Sequence, residues 1–243
     1  MKVVIMQPTY LPWMGYFDLI DQSDVFVFLD HVQFVKQSWQ QRNKIKTSQG
    51  EIWLTVPVLQ GFGQKIKEVK INNNSSWKVK HLKSIKYDYD KAPYFTKYFK
   101  FFEKTYNADW VYLVDLNIHV IKWVIKQLNI KKDFIKSSDM DIEGKKMDLL
   151  VNICKKLNAD IYLSPLGSAI YIEENNLFER EGIKLEYQHF EHPIYKQLWG
   201  DFVPYMSVID LLFNEGDKSL DIIRSGRRKS YTSEEVEKVK NES

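Results

Sequence analysis

Residues 3–30, VVIMQPTYLPWMGYFDLIDQSDVFVFLD, decide the fold. Val3 to Met6 is a short apolar run of the kind that fills a buried strand. Pro8 has no N–H to give a sheet ladder and ends it. A loop rich in aromatics, Pro and Gly follows, and the pattern predicts a helix from about Phe17. Asp24 then leads into a second strand over 25–30, rich in Val and Phe. Strand, helix and strand in so short a span make a βαβ unit, which predicts parallel pairing. Such sheets place ligands beyond the carboxyl ends of their strands. The opening loop, with Gln7, Tyr10, Trp13, Gly15 and Tyr16, lies at that edge. So do Asp30, His31 and Gln33 after the second strand, and the two loops are expected to face one another. The competing reading of the opening loop is a core plug whose rings only pack, since aromatic residues are common in cores.

Composition narrows the class. The 243 residues are 44% hydrophobic, enough for a full core, and carry seven Trp, fourteen Tyr and fourteen Phe. Lys and Arg exceed Asp and Glu by 35 to 32, a net charge of +3 without a long basic run, which argues against a nucleic-acid partner. The single cysteine, Cys154, sits in an apolar helical pattern and reads as a core residue. No stretch of eighteen apolar residues exists, so no membrane span is expected. Lys2 runs directly into a strand rather than a signal-peptide core, so a cytoplasmic location is expected.

The rest of the chain extends an α/β pattern with a mostly parallel sheet. Residues 35–50 are polar and contain Trp39, Arg42, Asn43 and Lys44. EIWLTVPV at 51–58 and IKEVKI at 66–71 read as strands that pair as an antiparallel extension of the sheet. Ser76 is a plausible cap for a helix over WKVKHLKSIKYDY. Ala92-Pro93 breaks it, an aromatic helix follows over 94–106, and another spans about 110–128. This region, about 75–130, reads as a helical layer inserted in the domain. A helix over 144–157, a strand over 160–163 and a strand in IKLEYQHF follow, then a helix that Ser207 could cap. The domain is expected to span 1–223, with 224–243 a charged, flexible tail.

Known chemical signatures are mostly excluded. There is no GxxxxGK[ST] and no GxGxxG, so neither classical phosphate loop is present. There is no GxSxG nucleophile elbow. The histidines at 31, 81, 119, 189 and 192 form no zinc pattern with one Cys, so no metal signature is read. Asp30 and His31 are the candidate general bases, because both follow a strand at the ligand edge; either could instead be a satisfied structural group. Arg42 and Lys44 flank Asn43, and an Arg fork suits a carboxylate or phosphate. The strand ending at Leu163 opens into SPLGSAIY, where Ser164, Gly167, Ser168 and Ala169 would let a ligand approach the backbone closely.

The chain resembles the WbqC-like protein family. The likeness is carried by QPTYLPWMGYFDLI at 7–20, VFVFLDHVQFVKQSWQQRNKI at 25–45, and the Trp77–Tyr89 stretch with KAPYF behind it. YLSPLGSAIY at 162–171, with Phe178 and GIKLEY, and YKQLWGDFVPYMSVIDLLFN at 195–214 complete it. The resemblance covers nearly all of residues 1–216 and leaves the tail outside. Recurrent positions of the family carry over as Gln7, Pro8, Tyr10, Pro12, Gly15, Tyr16, Asp30, Gln33, Arg42, Asn43, Gly167, Tyr171, Tyr195, Gln197, Phe202, Pro204, Ser207 and Asp210. One stretch departs: the family often has Asn-Pro and paired glycines where this chain has Ser164-Pro165 and Gly167-Ser168.

The resemblance implies a bacterial protein encoded among genes for O-antigen and other surface polysaccharides. It thereby suggests transfer of an acyl or aminoacyl group to the amine of a nucleotide-linked amino sugar. On that reading Asp30 or His31 is the base, and Gln7, Arg42 and Asn43 hold the substrate. An activated acyl donor or a nucleotide would be the other reactant. A fainter likeness is to pantothenate synthetases and related nucleotidyltransferases, which open on a strand, Pro-Thr and a His-x-Gly-His turn. Here Pro8-Thr9 precedes Trp13-Met14-Gly15-Tyr16, so aromatic rings stand where those enzymes have phosphate-contacting histidines, and stacking on a base or sugar suits them better. The alternative to an enzyme is a binding or scaffold protein, whose mark would be an exposed apolar patch over Tyr94–Tyr106.

Overall fold

The computed structural model describes residues 1–59, 61–169 and 176–236. Strand β1 (Lys2–Met6) leads through the opening loop to helix α1 (Met14–Gln22) and strand β2 (Val25–Phe28). A hairpin follows, β3 (Arg42–Thr47) and β4 (Gly50–Thr55), then a short pair, β5 (Val58–Leu59) and β6 (Lys70–Ile71). Helices α2 (Trp77–Tyr89), α3 (Phe95–Asn107) and α4 (Leu113–Gln127) precede strand β7 (Asp133–Lys136). Next come helix α5 (Lys146–Lys156), strand β8 (Ile161–Ser164), helix α6 (Leu177–Arg180) and strand β9 (Lys184–Tyr187). Helices α7 (Val208–Glu215) and α8 (Ser219–Ser225) follow.

Five strands form one parallel sheet in the order β7-β2-β1-β8-β9. Taken in chain order along the sheet this reads 3-2-1-4-5, a doubly wound arrangement whose direction reverses between β1 and β8. Successive side chains of a strand point to opposite faces. Val4, Phe26 and Phe28 accordingly join one core with α1, α2, α3, α4 and α7. Val3, Ile5 and Val27 join a second core with α5, α6 and Cys154. The α/β class, the βαβ start and the helical layer all follow the sequence pattern.

Several elements differ from expectation, each for a local reason. Helix α1 begins at Met14, because Trp13 already has the extended backbone of an N-cap. The polar stretch 35–50 hides β3, whose Asn43, Ile45, Lys46 and Thr47 are buried against the domain. β3 pairs with β4, and β5 with β6, in two small antiparallel pairs separate from the main sheet. Ile66–Glu68 is a 3-10 turn, so only Lys70–Ile71 of the expected 66–71 strand is extended. Asp133–Lys136, for which no strand is expected, is β7, an edge strand of the main sheet. Ser76 precedes α2 without a side-chain capping bond, whereas the Ser207 hydroxyl accepts from the Ile209 N–H at 3.4 Å and caps α7.

Residues 224–236 are docked rather than fraying. Arg224 and Arg227 pair with Asp21, Arg227 also holds buried Asp18, and Tyr231 bridges to Tyr187 beside β9. The rings of α3 do not form the exposed patch expected of a scaffold. Tyr98, Phe99, Phe102 and Tyr106 are buried, and Tyr94, Phe95 and Phe101 are partly buried against the same core. Among the described residues no helix is long and apolar enough to cross a membrane.

Candidate functional site

The register of β2 on β7 builds the site. Phe28 pairs with Lys136, so the residues just beyond, Asp30 and His31, emerge beside Ser137 and Ser138. Asp30 is only 1% exposed. Its Oδ1 accepts from the Ser137 hydroxyl at 3.1 Å and the Ser138 N–H at 2.9 Å, and its Oδ2 accepts from the Ser138 hydroxyl at 2.7 Å. Ser137 Oγ in turn accepts from the Asp30 N–H at 3.1 Å and lies 2.6 Å from His31 Nδ1. With the Ser137 proton directed at Asp30, His31 Nδ1 must be the donor to Ser137. That assignment leaves the lone pair on Nε2, which has no partner among the described residues.

His31 is partly exposed. Partial burial holds its pKa below the usual histidine value; Asp30 opposes this, and the charges of Lys65 and Lys67 add to it. The lysines are brought there by backbone bonds from Phe34 N–H to Gln64, Ile66 N–H to Val32 and Lys67 N–H to Asp30, all 2.8–2.9 Å. The result is an imidazole of lowered proton affinity with a free nitrogen, its pKa held down in part by two exposed lysines. Gln33 lies on the same ladder, exposed and bridged to Lys65. Sequence reasoning singled out Asp30, His31 and Gln33 for this edge and did not mark Ser137, Ser138, Lys65 and Lys67, which the structure brings beside them. The Ser137-Ser138 pair follows β7 directly, but a strand of four residues with a single aromatic gives no periodicity to mark it.

The opening loop behaves differently. Tyr10 is fully buried, its hydroxyl bonded to His81 Nδ1 at 2.9 Å and to the Tyr106 hydroxyl. Burial pushes His81 down to about 4. Tyr16 is 2% exposed, packs on Phe17 and Phe26, and donates to the Gln7 carbonyl at 3.1 Å. Trp13 packs against Phe190, His192 and Tyr205. A side chain at Gly15 would overlap the Trp13 ring, so this glycine serves packing rather than a ligand. Asn117 donates to the Pro8 and Gln40 carbonyls at 3.0 and 2.8 Å and ties the loop to its neighbour. Tyr10, Gly15 and Tyr16 are therefore framework, which corrects the expectation of substrate contacts at these three, while Trp13 packs in its aromatic cluster and stays partly exposed. Gln7 alone in this group keeps a free donor: it is partly exposed, its Oε1 accepts from Gln40, and its Nε2 has no partner among the described residues.

The remaining candidates divide in the same way. Asn43 is buried and donates to the Leu11 carbonyl at 2.6 Å, so it too is framework. Arg42 lies 4.3 Å over the Trp53 ring and Lys44 pairs with Glu51; neither meets Asp30 or His31. Ser164 is buried, 2.5 Å from Ser168 Oγ, while Gly167 is exposed with open space around it. Ser164 ends β8 and Gly167 follows it, at the reversal point of the sheet between β1 and β8. Tyr171 lies outside the described residues. Gln197 holds both backbone groups of Val203, at 2.9 and 3.0 Å, and closes its own loop rather than facing a substrate. Among the described residues no cluster of His, Cys, Asp and Glu could hold a metal ion.

The WbqC-like family model matches residues 7–222. The chain belongs to the WbqC-like protein family. A relative in Mycobacterium tuberculosis, the uncharacterized protein Rv1507c, is 35% identical over 240 residues, covering 93% of this chain and 99% of the relative. No solved structure matches the chain significantly. Among the recurrent WbqC-like positions, Asp210 is buried and accepts from Tyr195 at 2.7 Å and Tyr89 at 2.9 Å. Burial raises its pKa, with the two tyrosines acting against it. Tyr195, Ser207 and Asp210 thus fix α7 and its loop.

Proposed function

We propose that this WbqC-like protein joins an acyl or aminoacyl group to the amine of a nucleotide-linked amino sugar used in surface polysaccharide. The observation that carries the reading is the Asp30–Ser137–His31 chain, which leaves a neutral imidazole nitrogen free at the ligand edge of the sheet. Attack by the amine on the acyl carbonyl forms the C–N bond and expels the donor's leaving group. His31 Nε2 takes the amine proton and returns it to the leaving group. Asp30 and Ser137 are positioning residues that set the tautomer. Lys65 and Lys67 attract the sugar nucleotide's diphosphate, which they would pair as charges. Gln7 and Gly167 stand at the reversal point, where such folds take nucleotides. The gene surroundings implied by the family resemblance supply the substrate class.

Incubation with nucleotide-linked amino sugars and activated acyl donors, read by mass spectrometry, tests it. Addition of the acyl mass to the sugar amine is expected. Binding of sugar nucleotides without modification across a broad panel would remove the transfer reading and favour a binding protein.

The strand order also suits nucleotidyl transfer. Against this second reading, Trp13 and Tyr16 stand in for the phosphate-contacting histidines and are committed to packing. Magnesium-dependent binding of a nucleoside triphosphate by calorimetry would restore it.

A further inference from the structure

We propose that the groove between β4 and α2 binds a sugar ring carrying an acidic group. Its volume is about 340 Å³, inside the roughly 300–1,000 Å³ of small-molecule sites. It shares no residue with the His31 edge and reaches the opening loop through the His81–Tyr10 bond.

Three features select the ligand. The first is Trp53, which lines the groove and is 42% exposed. Its ring is nonetheless fixed, with the Arg42 guanidinium at 4.3 Å, the Lys44 ammonium at 5.1 Å and the Trp39 ring at 5.3 Å. An indole held by these contacts and still 42% exposed offers its remaining surface to the C–H face of a sugar, which is weakly positive against the electron-rich ring. The second is a set of hydroxyls. Thr55, Ser75 and Ser84 line the groove, and their hydroxyls make no hydrogen bond within the described chain. The buried floor beneath them, Trp77 and His81, is already satisfied: Trp77 Nε1 donates to Asn73, and His81 bonds Tyr10 and the Thr55 carbonyl. The third is charge. Lys80 lines the groove without a carboxylate partner, and no acidic residue lines it. An aromatic platform, free hydroxyls and one unpaired ammonium match a sugar acid better than a neutral sugar or a fatty chain.

Tryptophan fluorescence and ligand-observed NMR on the full chain test this with glucuronate, glucose 1-phosphate, glucose, acetate and inorganic phosphate. Saturable binding of glucuronate or glucose 1-phosphate is expected, tighter than glucose, and which of the two binds identifies the acidic group. Trp53→Ala is expected to weaken it about tenfold, and Lys80→Gln to bring it to the level of glucose. Lys80 is exposed and holds no ion pair among the described residues, so Lys80→Gln should keep the wild-type melting temperature. Trp53→Ala also removes the ring under Arg42 and is expected to melt slightly lower while staying folded, which the melting comparison checks. The proposal is overturned if neither sugar acid binds at concentrations on the order of 10 mM. It is overturned equally if acetate or phosphate alone binds as well, or if both folded variants bind like wild type.

Discussion

The loop after β1 and the loop after β2 leave the same edge of the same sheet, yet one is interior and the other opens a polar side chain to solvent. Beyond β1, Tyr10, Leu11, Pro12, Met14 and Tyr16 are buried, and the two tyrosine hydroxyls are consumed by internal partners. Beyond β2, two residues suffice to bring out a partly exposed histidine with one nitrogen fixed and the other free. A ring-rich, Pro- and Gly-punctuated loop advertises a site, but burial and hydrogen-bond saturation decide whether a ligand can reach it. The opening loop is a rigid wall against which the neighbouring loop is held.

The sharpest way to break this contrast is a pair of substitutions. His31→Gln is expected to lower the transfer rate by about 10²–10⁴-fold, the range for a lost general base. Tyr16→Phe is expected to leave the rate within a few fold and to lower stability by about 1 kcal/mol, through an unpaired Gln7 carbonyl. Equal losses of rate in both variants would erase the distinction.

The opening-loop network should next make the fold acid-sensitive. His81 binds its proton in the unfolded chain near 6.5 but in the folded chain only near about 4. Stability is therefore present above about 6.5 and lost as pH falls toward about 4, by about 3 kcal/mol at full development. Asp88, raised to about 6 by burial, contributes with the opposite sign. Denaturant melts at pH 7 and pH 5 should consequently show a smaller acid loss in His81→Gln than in wild type. A smaller effect still is expected at the hairpin surface, where Arg42→Ala removes the cation over Trp53 and costs about 0.5–1 kcal/mol in a melting comparison.

The contrast also marks what the sequence could reveal. Long apolar periods and the βαβ start made the parallel sheet and the helices from Trp77 to Gln127 legible. The strands that escaped were β3, whose buried positions include Asn43, Lys46 and Thr47, and β7, only four residues long at a sheet edge. Missing β7 hid Ser137, and with it the reason His31 differs from Asp30. Position at a strand end named both residues, but only the register of Phe28 on Lys136 separates a carboxylate saturated by serine donors from an imidazole left open. For the opening loop the residue types suited packing and binding alike, and three-dimensional neighbours such as His81, Tyr106 and Asn117 had to decide between them.

The most direct measurement is the tautomer of His31 by nitrogen NMR on histidine-labelled protein, titrated from pH 5 to pH 8. The expected result is a proton on Nδ1 and a bare Nε2 at pH 7, a pKa below 6.5, and loss of the fixed Nδ1–H tautomer in Ser137→Ala. A wild-type His31 protonated on Nε2 at pH 7 would contradict the assignment of this edge as the seat of the chemistry.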